Sequence, residues 1–305
     1  MDAKTEGDST AEPSPDSSVK RKEKSKLRDA AETIGLTVLA ALFLKLFIME
    51  AYTIPTPSME NTLLAGDFIL VNKFIFGAKT PMYIPFTAVS IPRFSLPGLM
   101  HPKTGDVVVF EFPGSSGPYD GVENYVKRCI AGPGDTVVIK DKSVFVNGRQ
   151  LPLPPRARIE NTTIIPNGVR DYRIFPQGSA FNEDNYGPLV VPRKGESVHL
   201  APESLEQYSE LIEREGHSVG VNDAGAILID GVASIAYQVQ KDYYFMMGDN
   251  RDNSLDSRFW GFVPDELIIG KAMLVYWSWD VSSPDSGLDN KLTSIRWNRM
   301  GMIVR

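Results

Sequence analysis

The sequence predicts a mostly β protein, an antiparallel β-sheet domain with an insertion or cap region, preceded by one N-terminal transmembrane helix. From residue 66 onward, short apolar or alternating runs are separated by turn residues, which is typical of antiparallel sheets. Asn147-Gly148 and Asp230-Gly231 each lie between two such runs and indicate tight hairpin turns. Near the N-terminus, one apolar stretch is long enough to cross a bilayer.

The N-terminal tail, predicted over residues 1–32, is polar at first and then basic. Residues 1–19 bury too little apolar area to become ordered, and we expect the whole tail, residues 1–32, to be disordered. Positive residues near a membrane helix stay on the cytoplasmic side, so the basic run predicts a cytoplasmic N-terminus. The run consists of Lys20, Arg21, Lys22, Lys24, Lys26 and Arg28.

The apolar stretch from Thr33 to Ile54 is the predicted transmembrane helix. A helix rises about 1.5 Å per residue, and the hydrocarbon core is about 30 Å thick, so the stretch is long enough for a single pass. Lys45 lies past the middle of the stretch, from where its amine can reach the far interface. A buried core helix and a cleaved signal peptide are the alternatives, although no small-x-small cleavage site follows the stretch.

The remainder, residues 55–305, is the predicted extracytoplasmic catalytic domain. A Pro- and Asn-rich section over residues 150–240 predicts an insertion or cap within it. One helix is predicted at Pro202–Glu215, where acidic and apolar residues alternate with helical spacing. The runs that predict strands are DFILVNKFIFG, GDVVVFEFPG, DTVVIKDKSVFVNGRQL, AILIDGVASIAYQV, DYYFMMGDN and GKAMLVYWSW.

The composition excludes several classes of protein. A formal net charge of −6 argues against a nucleic-acid partner, because phosphate binding needs a basic surface. Cys129 is the single cysteine, so no intramolecular disulfide forms, and we expect it to be a small buried residue. The histidines, His101, His199 and His217, show no H-E-x-x-H spacing, which gives a zinc protease little support.

The segment from Phe68 to Met100 is unusually rich in apolar residues. One interpretation is a core strand followed by a packed loop. The other is an exposed apolar surface that enters the lipid interface beside the anchor.

Four short stretches carry the candidate chemistry. Taken singly, each has an ordinary structural interpretation as a rigid linker, a turn or a polar loop. Jointly, in this order, they resemble the type I signal peptidase (leader peptidase) family of Ser/Lys-dyad serine proteases, over most of the chain apart from the tail and residues 150–240. The stretches are Ile54-Pro55-Thr56-Pro57-Ser58-Met59, Gly66-Asp67-Phe68-Ile69-Leu70-Val71, Tyr125-Val126-Lys127-Arg128 with Gly132-Pro133-Gly134-Asp135, and Gly248-Asp249-Asn250-Arg251-Asp252-Asn253-Ser254-Leu255-Asp256-Ser257-Arg258.

The resemblance implies a role for each matching residue. Ser58 matches the nucleophile, and Lys127 matches the general base. Thr56 stands where many members have serine and keeps the hydroxyl that joins the Ser58 backbone N–H as an oxyanion donor. Ser254 matches the hydroxyl that orients the lysine amine. The other implied positions are the supporting residues Asp256 and Arg258 and the structural ion pair of Arg128 with Asp249.

These residue types suit the implied reaction. A serine hydroxyl is a poor nucleophile until a base takes its proton. A free lysine, with a pKa of about 10.4, is protonated at neutral pH and acts as a base only when burial disfavours its charge. Val126 and Ile130 flank Lys127 and fit a buried strand. We therefore expect Lys127 Nζ within hydrogen-bond distance of Ser58 Oγ, in an apolar pocket.

The resemblance further implies the substrate and the setting. The family removes N-terminal signal peptides from exported preproteins and cuts after small residues in an Ala-x-Ala-like pattern, with no metal or cofactor. The implied location is the bacterial inner (cytoplasmic) membrane, with the catalytic domain on the periplasmic side. The partners are preproteins, the lipid bilayer and, by extension, the secretion machinery. An extended substrate pairs with a strand edge, for which we expect the strand at Asp67–Val71.

Two other functions share parts of this pattern. A soluble self-cleaving Ser/Lys protease, of the kind that regulates the DNA-damage response, has similar chemistry but lacks a membrane anchor. The apolar stretch at Thr33–Ile54 argues against it. A catalytically inactive membrane-anchored scaffold is the second alternative. The presence of both Ser58 and Lys127 argues against it.

Overall fold

The computed structural model describes residues 26–79, 94, 96–114, 123–281 and 293–305. The disordered tail predicted over residues 1–32 lies outside the described residues as far as residue 25, as do residues 80–93 and 95 of the apolar segment. Its last part, residues 26–32, belongs to the N-terminal helix instead. The chain divides into two compact units, residues 1–42 and residues 43–305.

The N-terminal helical region begins in the first unit and continues past its last residue. Helix α1, Lys26–Phe43, is followed by a short π-helical segment, Leu44–Ile48. Within these elements, Arg28–Ile48 is long and apolar enough to cross a membrane.

The helical region begins and ends earlier than the predicted helix at Thr33–Ile54. Residues 49–53 form a β-strand that pairs with residues 68–72, with Thr53 opposite Phe68. The strand satisfies its backbone polar groups by pairing, and Pro55 restricts the preceding residue to extended backbone. Apolar composition continues across this change from helix to strand, which is why the sequence did not reveal the boundary.

Strands and short helices make up the described part of the second unit. Helix α2 spans Pro202–Arg214, which confirms the predicted helix, and α3 spans Ser257–Trp260. The strands, in chain order, are β1 Met49–Thr53, β2 Asp67–Asn72, β3 Val107–Glu111, β4 Asn124–Ala131, β5 Thr136–Lys140, β6 Ser143–Val146, β7 Arg149–Gln150, β8 Tyr186–Val190, β9 Ser197–His199, β10 Val219–Val221, β11 Ile227–Ile229, β12 Val232–Ala233, β13 Ala236–Gln238, β14 Tyr243–Met247, β15 Val263–Pro264, β16 Ile268–Ser278 and β17 Met302–Ile303.

One large sheet carries the candidate site. Its strand order is β1-β2-β16-β3-β4-β14-β15, with β17 paired to β16, and neighbouring strands are antiparallel. This confirms the predicted mostly β, antiparallel class. Strand β3 is buried on both faces, because Val107 and Val109 pack in one apolar cluster while Val108 and Phe110 pack in another. Cys129 joins the second cluster and is fully buried, as predicted.

The expectation that β2 offers a free edge is wrong. It pairs with β1 on one side and with β16 on the other, so both of its edges are occupied. The residues of β1 were predicted to belong to the transmembrane helix. Without β1 in the sheet, β2 was expected to be the edge strand. Strand β1 is the terminal strand of the sheet on this side.

Three smaller sheets lie in and next to residues 150–240, the section for which the sequence predicted an insertion or cap. Their strand orders are β7-β6-β5-β8, β13-β9 and β10-β11-β12. The first begins at Thr136 rather than near residue 150, because β5 and β6 pair with strands that follow later in the chain. Both predicted hairpin turns are confirmed, with positive φ at Asn147 and Gly148 and again at Asp230 and Gly231, the left-handed conformation that these residue types tolerate.

Candidate active site

Ser58 lies in a single 3₁₀ turn, Pro57–Met59, soon after strand β1. Proline at the first position of the turn fixes the backbone angle with which the turn starts. The next side chain, Met59, is fully buried and anchors the turn on the apolar cluster below it. The Ser58 carbonyl accepts a hydrogen bond from the Asn250 backbone N–H at 3.1 Å. The serine is therefore held from both sides, and its side chain is only half-buried.

Lys127 lies in the middle of strand β4, and the structure brings its amine to the serine. The distance from Lys127 Nζ to Ser58 Oγ is 2.7 Å, within the hydrogen-bond distance that the sequence analysis expected. Only 4% of Lys127 is exposed. A lysine amine of this kind has lost most of its hydration, so its charged form is disfavoured.

The pKa of Lys127 reflects this burial. Desolvation lowers the pKa from 10.5 to about 8, while the negative charge of Asp256 acts in the opposite direction. The Tyr125 ring, whose centroid lies 5.2 Å from Nζ, also favours the charged form. With a pKa of about 8, roughly a tenth of the molecules carry a neutral amine at pH 7. This fraction suffices for a general base that is regenerated in each turnover.

Thr56 lies beside Ser58. Its Oγ1 is 3.4 Å from Ser58 Oγ, and the residue is exposed rather than buried. A hydroxyl in this place could donate to an oxyanion if Ser58 attacked a carbonyl carbon.

Ser254 lies close to Ser58, but it does not form the predicted hydrogen bond with Lys127. Its hydroxyl is buried, and no group among the described residues forms a hydrogen bond with it. Ser254 packs instead against Gly248, where an added Cβ would lie 2.2 Å from Ser254 Oγ and 2.5 Å from the Ser58 carbonyl oxygen. Gly248 thus permits a close approach between the loop and the serine turn. The sequence analysis did not single it out, although its position directly after a buried strand was a usable signal.

Two buried ion pairs hold the loop between Gly248 and Arg258. Asp256 accepts from Arg258 Nε and Nη2, both at 2.9 Å, and also from the Gly248 backbone N–H at 3.1 Å. Asp249 accepts from Arg128 Nε at 2.7 Å and from its Nη2 at 2.6 Å. Each pair is bidentate, the geometry in which a guanidinium and a carboxylate compensate best for lost hydration. The structure thus brings Arg128 and Asp249 together as the resemblance implied, and it also pairs Asp256 with Arg258, which the resemblance gave only as supporting residues.

Two residues that sequence reasoning missed support the same loop. Thr62 donates its hydroxyl hydrogen to Asp249 at 2.6 Å. The Asn250 side chain donates to the Pro57 carbonyl at 3.3 Å and to Glu60 at 3.2 Å. Both tie the serine turn to the loop, and only Asn250 lay within a stretch that the sequence had marked.

An open cleft of about 680 Å³ surrounds the pair. Two strand segments border it. One is β1, the terminal strand of the sheet. The other is Asn124–Lys127, the half of β4 that pairs with β3 but, within the described part of the chain, not with β14. Residues that line the cleft include Tyr52, Ile54, Pro55, Thr56, Ser58, Val109, Tyr125, Val126, Lys127, Asn253 and Leu255.

Comparison with known proteins gives the family. The sequence profile described as signal peptidase, peptidase S26, matches residues 27–277. Signal peptidase I of Aquifex aeolicus is 32% identical over 283 residues, which cover 88% of this chain and 92% of the relative. Signal peptidase I of Pseudomonas aeruginosa is 32% identical over 260 residues, 82% of this chain and 70% of the relative.

A sheet domain with a serine beside a buried lysine fits a serine endopeptidase, and the chain is one. More particularly, it belongs to the signal peptidase family, peptidase S26. Among solved structures, a signal peptidase I from Enterococcus faecalis matches 56% of this chain and 97% of its own, at 20% identity and a TM-score of 0.26. A TM-score this low adds no support of its own.

Proposed function

We propose that this chain is a membrane-anchored endopeptidase that removes signal peptides from exported preproteins, with Ser58 as nucleophile and Lys127 as general base. Membership of the signal peptidase family supports the reaction. The observation that carries the assignment of residues is the 2.7 Å contact between Lys127 Nζ and Ser58 Oγ, formed by an amine that is almost fully buried.

In the first half of the proposed reaction, Ser58 Oγ attacks the carbonyl carbon of the scissile peptide bond. Its proton passes to the neutral Lys127 amine. The carbonyl oxygen becomes an oxyanion, which the Ser58 backbone N–H and the Thr56 hydroxyl stabilise. One such donor contributes about 2.7–4 kcal/mol in comparable sites. When the C–N bond breaks, the ammonium of Lys127 donates the proton to the leaving amine, and an ester on Ser58 remains.

In the second half, water replaces the amine. Lys127 accepts a proton from the water, whose oxygen attacks the ester carbonyl. The tetrahedral intermediate then collapses, Ser58 leaves and regains its proton from Lys127, and the carboxylate of the cleaved signal peptide is released. The lysine ends neutral, as it began, so a single buried amine serves both halves.

The two strand segments that border the cleft support binding of an extended substrate. The backbone of β1 and that of Asn124–Lys127 offer hydrogen-bonding groups along the cleft, and an added peptide strand pairs with such edges. Side chains of an extended peptide alternate in direction, so every second residue faces the apolar wall. We propose that this geometry reads small residues in an Ala-x-Ala-like pattern.

The anchor assignment rests on the candidate span at Arg28–Ile48. The basic run before it supports a cytoplasmic N-terminus, with residues 55–305 on the extracytoplasmic side of the bacterial inner membrane. In this arrangement the partners are the bilayer, preproteins and the secretion machinery. A soluble self-cleaving protease is the alternative, and the span argues against it.

Cleavage of a reporter preprotein by the purified full-length chain in detergent tests the proposal. Ser58→Ala removes the nucleophile, so we expect cleavage at background level. Lys127→Ala removes the base, so we expect the rate to fall by at least about a hundredfold. Lys140→Ala is the matched control and keeps wild-type activity, because Lys140 is an exposed lysine on β5, the next strand along the chain. Substantial cleavage by purified Lys127→Ala would refute the dyad.

A further inference from the structure

A second cavity lies on the other face of strand β4. Lys127 and Arg128 are neighbours on this strand, and successive side chains of a strand point to opposite faces. Lys127 lines the cleft with Ser58, whereas Arg128 lines a separate cavity of about 670 Å³. The loop after β14 contributes to both, through Asn253 and Leu255 on one side and Arg251 on the other. The volume is within the range of cavities that bind small molecules.

Arg251 is the unusual group in this cavity. Only 7% of the residue is exposed, and its Nε is buried without a hydrogen-bond partner. Among the described residues, no side chain forms an ion pair or hydrogen bond with its guanidinium. Burial and the neighbouring positive charge of Arg258 lower the pKa of Arg251. A guanidinium nevertheless stays protonated in proteins, so a buried cation here lacks a counter-ion.

The acidic residues nearby are engaged elsewhere. Asp249 is bonded to both nitrogens of Arg128, and Asp256 to both of Arg258. Of these three buried arginines, Arg251 is therefore the one whose guanidinium bonds to no carboxylate among the described residues. Asp141 also lines the cavity, but it is exposed and therefore well hydrated.

The other cations of the lining differ from Arg251. Arg128 pairs with Asp249, and Arg305 is exposed to water. The Lys142 amine contacts Asp184 at 3.1 Å and Asp252 at 2.9 Å. Arg251 is therefore the buried cation of this wall that bonds to no carboxylate.

The rest of the wall is mostly apolar. The insertion supplies it through the segment between β7 and Ile159, and β4 and β6 supply one residue each. The apolar lining residues are Ile130, Val144, Leu151, Leu153, three prolines at positions 152, 154 and 155, and Ile159. Such a wall favours a ligand with an apolar body, while the buried, unpaired guanidinium of Arg251 favours an anionic group.

We propose that this cavity binds an organic monocarboxylate with an apolar body, whose carboxylate pairs with the guanidinium of Arg251. A carboxylate matches the planar fork of the guanidinium and neutralises one charge. An inorganic phosphate lacks the apolar body and brings more charge than the cavity needs. A fatty acid and the free carboxyl end of an apolar peptide share this chemistry, and the test includes both.

The test measures binding to the full-length chain in lipid nanodiscs by calorimetry. Octanoate is compared with octanamide, which has the same body without the charge. N-acetyl-leucyl-leucine is compared with its C-terminal amide in the same way. For at least one pair we expect the acid to bind at least about tenfold more tightly than the amide, because charge-assisted hydrogen bonds form only with the carboxylate. The pair that shows the preference identifies the source.

Arg251→Met removes the guanidinium and is expected to abolish the preference for the acid. It removes an unpaired buried charge, so it does not threaten the fold. Leu153→Asp, at a half-exposed position of the wall, places a negative charge in the cavity and has the same expected effect. Arg158→Gln is the matched control, since it removes an arginine that pairs with Glu60 and Glu160 and does not line the cavity, and it keeps the preference.

Three results would overturn the proposal. They are equal binding of acid and amide, an unchanged preference in Arg251→Met, and binding of inorganic phosphate in place of both acids. None of them depends on peptide cleavage, so failure here leaves the proposed protease function untouched.

Discussion

Lys127 is nearly inaccessible to water, and the two nearby groups that favour its charge, Asp256 and the Tyr125 ring, offset only part of its desolvation. The protein thus keeps an amine whose protonation opposes folding at neutral pH. Function, rather than stability, explains such a residue. The contrast with the paired Arg128, also on β4, shows that the strand can accommodate a cation when a carboxylate faces it.

This cost predicts that Lys127→Met stabilises the fold while abolishing cleavage. The pKa of the folded state, about 8, lies below the ordinary 10.5, so the folded chain holds this proton less tightly than the unfolded chain. Stability therefore rises as the pH increases from 8 towards 10.5. We expect Lys127→Met to raise the free energy of unfolding by about 1–3 kcal/mol at pH 7.

Denaturant unfolding of both proteins at neutral pH and again near pH 10.5 measures this gain. The gain is expected to shrink at the higher pH, where the lysine of the folded wild type is already neutral and that of the unfolded chain has lost about half of its charge. If Lys127→Met were less stable than the wild type at neutral pH, burial of the charged lysine amine would not destabilise the folded chain.

At the residue scale, the sequence predicted the members of the site because they match a family, not because of local signals. Ser58 and Lys127 are 69 positions apart, and neither stretch by itself predicts that the two side chains are in contact. The unpartnered state of Ser254 and the missing counter-ion of Arg251 depend on how several loops pack together. Which polar groups find a hydrogen-bond or ion-pair partner in the folded chain cannot be predicted from the spacing of residues in the sequence.

At the element scale, the loop after β14 controls the serine turn. Its backbone contacts the turn directly, through Asn250 and the Ser58 carbonyl, and Gly248 lies where any side chain would collide with both. Two ion pairs then fix the loop to β4 and to the start of α3. Ser58, the proposed nucleophile, is thus positioned by an element distant from it in sequence.

Gly248→Ala tests this arrangement. The new methyl group would lie 2.5 Å from the Ser58 carbonyl oxygen, closer than packing allows. We expect a loss of about 1–3 kcal/mol in stability and a fall in the cleavage rate, since overpacking displaces neighbouring groups. Thermal unfolding and preprotein cleavage measure the two effects.

Gly220→Ala in strand β10 is the matched control, because no atom lies within 4 Å of its added Cβ. It should leave both quantities near those of the wild type. Equal behaviour of the two variants would contradict the close approach at Gly248.

Elements with local signals were predictable from the sequence. The α2 helix has a helical pattern of apolar residues, and the Asn147-Gly148 turn has a residue pair that favours positive φ. Strand β1 has no such signal, because its apolar residues continue those of the preceding helix. Because β1 was not predicted, β2 was expected at the edge of the sheet, whereas in the structure it lies in the interior.

For the whole molecule, the central question is how the chain sits at a membrane. The single cysteine offers a clean test, because Cys129 is fully buried and burial raises the pKa of its thiol. Native protein should therefore react slowly with a membrane-impermeant thiol reagent. New cysteines then report which side of the membrane their positions occupy.

We expect Lys140→Cys to be labelled in spheroplasts, since this exposed position belongs to the proposed extracytoplasmic domain. Ser18→Cys, in the basic tail, should react only after the membrane is broken. Quantifying the attached label by gel fluorescence checks both. Labelling of Ser18→Cys in intact spheroplasts would reverse the proposed orientation, and recovery of the chain in the soluble fraction would exclude the anchor.

The proposed mechanism requires a neutral Lys127 amine that activates Ser58. The pH dependence of Ser58 acylation reports on this amine. The rate of labelling by a small acylating probe is measured from about pH 6 to about pH 10. It should rise with one ionisation near pH 8 and then level off, whereas Lys127→Met should label at background rate throughout. A flat profile in the wild type, or the same rise in Lys127→Met, would show that the neutral Lys127 amine does not activate Ser58.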